Sequence, residues 1–183
     1  MCLYDIPKGG LCMDFLELAK KRFSCKKFDA AKKVADGDLE KILEAGRLAP
    51  TAKNNQPQRI YVLRSDEALA AADMLTPCRY DAPVVLVVAV NQDEVFAYPG
   101  GKYTSGAEDA AIVATHMTLE AADLGVDSCW LNFFDPDKAK DVLHLPDNEQ
   151  VVLLMDIGYA APTAKPLPTH ERRKPLAETV VYR

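Results

Sequence analysis

The run PVVLVVAV, Pro83–Val90, contains no polar residue. A strand sends successive side chains to opposite faces, so an apolar residue at every position predicts a strand covered on both sides. The same run is far too short to cross a bilayer as a helix. Outward from it the chain alternates. Before it, Asp66–Leu75 is Ala-rich and predicts a helix, and RIYVLR, Arg59–Arg64, predicts a short strand. Leu39, Ile42 and Leu43 give Asp38–Leu48 a helical period that ends near Pro50. Phe15, Leu18, Ala19 and Phe23 do the same for Asp14–Phe23, with Asp14 as N-cap. After it, Gly100–Gly106 reads as loop. From Ala107 the residues Ala110, Ala111, Ala114, Met117, Ala121 and Leu124 recur at helical spacing until Gly125, a C′ stop. DSCWL, Asp127–Leu131, predicts a strand, Pro136–Leu143 a helix opened by proline at N1, and Val151–Ile157 a further strand closed by Gly158.

This alternation implies one domain, residues 1–183, built as an α/β or α+β sandwich around a central sheet. Ala160–Arg183 carries Pro162, Pro166, Pro168 and Pro175 and reads as an extended tail. Its apolar Leu176, Val180, Val181 and Tyr182 suit docking onto a second subunit.

Composition excludes several classes. A formal charge of −5 argues against general nucleic-acid binding. The first residues lack the basic, apolar, small-residue succession of a secretory leader. The five cysteines, Cys2, Cys12, Cys25, Cys78 and Cys129, are odd in number and scattered without C-x-x-C, which predicts free thiols in a reducing cytosol. There is no G-x-S-x-G, G-x-G-x-x-G or P-loop. His116 and Glu120, four apart, read better as a surface pair than as metal ligands, and Cys129 better as a small buried hydrophobe than as a nucleophile.

Two polar features stand out against that background. KKRFSCKKFDAAKK, Lys20–Lys33, concentrates cations on an acidic chain; it is either a solvated face or a seat for a phosphate or anionic cofactor. LAPTAKNNQPQR, Leu48–Arg59, sets Thr51, Asn54, Asn55 and Gln56 between Pro50 and Pro57, a loop stiffened at both ends. With Asn132 at a strand end and a basic stretch at His170–Lys174, these features suit a flat, polar-edged, phosphate-bearing ligand. A flavin mononucleotide has those requirements: cations at the phosphate, donors and acceptors along the pyrimidine edge, and positive charge where reduction creates an anion.

Four blocks, KRFSCKKFD (Lys21–Asp29), APTAKNNQPQ (Ala49–Gln58), LGVDSCWLNFFDP (Leu124–Pro136) and IGYAAP with ERRKPLAETV (Ile157–Val180), resemble the nitroreductase family of flavoproteins in the family's order. The resemblance implies an α+β fold with a central, mostly antiparallel sheet flanked by helices, and a homodimer holding FMN in two pockets at its interface. It implies that Arg22, Ser24 and Lys26 grip the phosphate and pyrimidine edge, with the Phe23 backbone against the flavin. It implies that Thr51, Asn54 and Gln56, held by Pro50 and Pro57, reach the flavin from the partner. Backbone amides at Asn132 and Phe133 approach the reactive edge, and Arg172 and Arg173 form a second phosphate clamp in a tail that embraces the other subunit. It implies a cytoplasmic enzyme that moves electrons from NAD(P)H to a nitroaromatic, quinone or similar acceptor by ping-pong transfer, with no side-chain nucleophile and no metal. Three departures bear on this: Gln58 replaces a frequent aromatic, Phe133 and Phe134 replace frequent glycines, and VFAYPGGKYTS, Val95–Ser105, is a short segment with no counterpart among the blocks. Phe133, Phe134 and the short middle segment keep open a flavin-sequestering protein without NAD(P)H turnover, and the basic cluster alone keeps open a non-redox module for phosphate ligands.

Overall fold

The computed structural model describes residues 14–183; Cys2, Cys12 and the reading of the leader lie outside the described residues. Four strands form one sheet: β1 (Gln58–Leu63), β2 (Val84–Asn91), β3 (Asp127–Leu131) and β4 (Glu149–Gly158), in the order β1-β2-β4-β3. Every neighbouring pair is antiparallel. Parallel crossovers are therefore absent from this sheet, and the fold is α+β.

The helices are α1 (Phe15–Lys21), α2 (Asp36–Arg47), α3 (Asp66–Leu75), α4 (Gly106–Asp123), α5 (Pro136–Val142) and α6 (Leu176–Thr179). The expected boundaries hold to within a few residues. Gly125 at φ +73° follows α4, where a side chain would strain the turn.

β2 is the hinge of the packing argument. Val84, Leu86, Val88 and Val90 face a core shared with Leu39 and Ile42 of α2 and with Ala110, Val113, Ala114 and Met117 of α4. Val85, Val87 and Ala89 face a second core with Ala72 and Leu75 of α3, Ala139 of α5, Cys25 and Phe28. Both faces are dry, which is why the strand carries no polar residue before Asn91. At roughly 1.5–3 kcal/mol for each large side chain removed from water, β2 contributes on the order of 10 kcal/mol to burial.

β4 reaches both cores by alternation, Leu153 and Met155 into the first and Leu154 into the second, and it carries a bulge. Val88 pairs with Leu153 but Ala89 pairs with Val151, so Val152 is the extra residue. The offset turns Val151 to the second core while Leu153 and Met155 stay in the first. The strand also begins earlier than its apolar run suggests, at Glu149. That carboxylate is buried, and the Tyr61 hydroxyl donates to it at 2.5 Å, which offsets part of the cost of removing it from water. Burial first, and Glu149 second, push the Tyr61 hydroxyl up to about 12.

Two expectations change. α1 stops at Lys21, because Arg22 turns to extended backbone with ψ 126°. None of its residues is buried, and Phe15 is 63% exposed, so the other described residues cover its apolar side only in part. The tail is extended as expected except for the single turn α6, and Leu176, Val181 and Tyr182 in it are exposed.

Candidate functional site

The site begins where α1 ends. Ser24 forms a parallel bridge with Ser128 on the free edge of β3, and Cys25 N–H donates to the Ser128 carbonyl at 2.9 Å. Strand-like alternation then sorts the segment. Arg22 and Ser24 turn to one side, and Cys25 is buried on the other.

Arg22 and Ser24 line a cavity of about 190 Å³ with Thr115, Thr118, Ser128 and Trp130. The two threonine hydroxyls already donate to helix carbonyls of Ala111 and Ala114, each at 2.7 Å. Among the described residues the Arg22 guanidinium and the Ser24 and Ser128 hydroxyls make no such bond. At the far end of β3, the Trp130 indole donates to Asn132 Oδ1 at 2.8 Å. An indole N–H can only donate, so the amide is oriented with its oxygen inward and its NH₂ left over. Phe133 beyond it is 73% exposed, whereas Phe134 turns back into the second core.

Phe23 meets the His170 ring edge-on at 6.3 Å, and His170 Nε2 lies 3.1 Å from the Lys20 carbonyl. This contact brings the tail back to the start of the site. Arg172 and Arg173 follow on exposed backbone; Arg173 donates to the carbonyls of His170 and Arg172. Lys26 goes elsewhere. Its ammonium lies 5.8 Å over the Tyr80 ring, away from the cavity that Arg22 lines.

The loop between Pro50 and Pro57 is a separate construction. Ala52–Asn54 form one 3₁₀ turn, and Thr51 Oγ1 accepts from Gln56 N–H at 3.0 Å. Lys53, Asn54 and Gln56 have φ of +53°, +56° and +53°. For a side chain other than glycine that region costs about 1–2 kcal/mol per residue, asparagine being the best tolerated. Outside contacts hold it: Ala52 N–H donates to Asp109 Oδ1 at 2.8 Å, and Asn55 Nδ2 to the Glu94 carbonyl at 2.8 Å. Thr51, Asn54 and Gln56 do not line the Arg22 cavity of their own chain.

Sequence reasoning missed Asp109, Ser128 and Trp130. Ser128 and Trp130 could have been found from the period-two pattern of β3, since they face opposite to Cys129. Asp109 gives no local signal, because an acid in the first turn of a helix is common.

Cys129 is buried, and burial first, then Asp156, pushes its thiol up to about 12; such a thiol is inert as a nucleophile. His116 Nδ1 lies 2.9 Å from the Ile112 carbonyl of its own helix. Among the described residues, no three His, Cys, Asp or Glu side chains are grouped to hold a metal ion, and no helix is long and apolar enough to cross a membrane.

The model of the nitroreductase family matches residues 19–79 and 71–159. The chain belongs to the nitroreductase family. Its fold superposes on the crystal structure of a nitroreductase family protein from Clostridium difficile 630 with a TM-score of 0.86 and 37% identity, covering 93% of this chain and 98% of that one. A curated relative named NADH dehydrogenase, from Thermus thermophilus, is 29% identical over 205 residues, covering 93% of this chain and 97% of the relative. A nitroreductase from Exiguobacterium sibiricum 255-15, solved in complex with FMN, shares the fold with a TM-score of 0.78 at 20% identity, over 94% and 98% of the two chains. The matched span runs from the Arg22 segment through the Pro50–Pro57 loop to β4, so it includes every part of the site except the tail.

Proposed function

We propose that this nitroreductase family member is an FMN-dependent oxidoreductase that takes electrons from NAD(P)H and passes them to a nitroaromatic, quinone or similar acceptor in ping-pong fashion. One observation carries the reading: Arg22, Ser24 and Ser128 converge with Trp130 on one cavity, and their donors are the chemistry a phosphate and a pyrimidine edge require. When bound, FMN supplies a hydride acceptor for the nicotinamide and an electron donor for the second substrate.

The chain's own residues bind and orient. Arg22 supplies fixed positive charge, which favours an anionic reduced ligand. Ser24 and Ser128 offer hydroxyls along the edge, and Asn132 with Phe133 borders the open side. A cavity of about 190 Å³ is smaller than the roughly 300–1,000 Å³ of a complete small-molecule site. That deficit supports a homodimer in which each Pro50–Pro57 loop completes the other chain's site, with Thr51, Asn54 and Gln56 presented across the interface. Exposed Phe15 and Leu16 on α1, and Leu176 and Val181 in the tail, are the apolar surface such a dimer would cover. Lys26, Arg172 and Arg173 belong to the same proposal as longer-range cations; the single domain extends over residues 1–183, and the compartment is the cytoplasm.

A visible spectrum of the purified protein before and after anaerobic NADH tests this reading. Flavin bands that bleach within seconds support it, and a colourless protein that stays FMN-free after reconstitution overturns it. The exposed Phe133 favours one second reading, a flavin-sequestering protein whose open face is obstructed. That protein would show the bands without bleaching.

A further inference from the structure

Asp109 is 1% exposed, yet both carboxyl oxygens are engaged. Oδ1 accepts from Ala52 N–H at 2.8 Å, and Oδ2 accepts from the Ser105 hydroxyl at 2.6 Å. The first bond holds the strained loop. The second leads into the segment Val95–Ser105, the part of the chain the family blocks leave unexplained. Ser105 Oγ in turn accepts from Phe96 N–H at 3.1 Å, and Ser105 N–H donates to the Phe96 carbonyl at 2.9 Å. Between those ends Ala97 bridges Thr104 and Tyr98 N–H donates to the Tyr103 carbonyl, so the segment is a small hairpin. Two further contacts reach this part of the chain from the loop: Asn55 Nδ2 on the carbonyl of Glu94, just before the hairpin, and the Lys53 ammonium 4.8 Å over the Phe96 ring.

We propose that Asp109 is a positioning residue that couples the Pro50–Pro57 loop to the hairpin, so that cofactor binding and hairpin order rise and fall together. The inference rests on the reading of that loop as an FMN contact. Three residues with positive φ are held against their own preference, and such a loop keeps its shape only if its surroundings over-determine it. Asp109 is the fixed point: it is anchored in the first turn of α4, out of water, with one oxygen for the loop and one for the hairpin. By reciprocity, a ligand that orders the loop also orders the hairpin. Tyr103, 62% exposed on the hairpin, would then be set in place only in the loaded protein.

The test uses Ser105→Ala, which removes one oxygen on the hairpin side and touches neither Arg22 nor the loop. FMN affinity is measured by quenching of FMN fluorescence on apoprotein, and hairpin order by the rate of tryptic cleavage after Lys102, with fragments assigned by mass. FMN should slow that cleavage in the wild type. In Ser105→Ala the Kd for FMN should rise roughly five- to ten-fold and the protection by FMN should shrink with it. Ala52→Pro, which deletes the loop-side donor, should weaken FMN binding similarly without changing cleavage of the apoprotein. A merely structural role would lower the melting temperature of the apoprotein and leave FMN affinity within two-fold; that result, or cleavage indifferent to FMN, overturns the inference. A wild-type protein that binds no FMN would instead overturn the functional reading beneath it.

Discussion

Asp156 has no exposure, and among the described residues neither of its carboxyl oxygens has a hydrogen-bond partner. It stands opposite Cys129 across the β3–β4 pair, on the second core. Its carboxyl is pushed up to about 9, with burial the largest cause, Arg79 acting against the rise, and Cys78 and Asp73 adding to it. Arg79 is a weak counter-ion here because it is already held by Asp73 and by the Ala82 carbonyl. In the unfolded chain the group titrates near 3.9. Between those values the folded protein keeps a proton that the unfolded chain has lost, so stability falls as pH rises, by about 1.4 kcal/mol per pH unit. The slope needs only that the carboxyl stay protonated in the fold, so it is insensitive to the upper value. From pH 6 to pH 8 the loss is about 2.7 kcal/mol, or roughly 5–10 °C in melting temperature for a chain of this size. Asp156→Asn keeps the shape and removes the titration. Scanning calorimetry of both proteins at fixed protein and flavin concentration isolates the difference, because the three histidines contribute equally to each. The variant should gain on the wild type steadily from pH 6 to pH 8. Parallel pH profiles would show that Asp156 is ionised or hydrated in the fold, and would refute the argument.

Three other perturbations follow from the geometry. Arg22→Ala removes the charge-assisted donor of the cavity and should weaken FMN binding by roughly ten- to a hundred-fold in a fluorescence titration, the loss shrinking at high salt. Gly158→Ala places a methyl 2.7 Å from Pro83 Cδ and 2.9 Å from Phe28 Cδ1; neither ring can swing aside, so urea unfolding should show a loss of about 1–3 kcal/mol. Trp130→Phe deletes the indole donor that orients Asn132 and should raise KM for a quinone acceptor a few-fold while the rate of flavin reduction by NADH stays within two-fold.

What the sequence disclosed and what it hid divide along one physical line. Pro83–Val90 was readable because an uninterrupted apolar run has one cheap solution, a strand dry on both faces, and its neighbours in sequence need not be known. The helical period of Ala107–Leu124 and the proline at Pro136 are local in the same sense. The strand order was not readable, since the choice between α/β and α+β depends on which edges meet across the sheet. The candidate site shows the same division. Arg22, Ser24 and Asn54 were marked by the resemblance of their blocks to the nitroreductase family, since by residue type alone Arg22 is a surface charge and Asn54 a turn residue. Ser128 joined the candidate site only when Ser24 was laid beside it, and Lys26, which simple alternation would leave on the Ser24 side, instead sets its ammonium over the Tyr80 ring. Asp109 is the extreme case. It lies 57 residues from the backbone N–H that it holds, and nothing near it marks it as special. A strained loop and its anchor cannot be read separately: three left-handed residues without glycine are unfavourable by themselves, and a buried acid without donors is unfavourable by itself. Each becomes tolerable through the other, so this part of the site is a property of the folded pairing, and substitutions on either side should be non-additive.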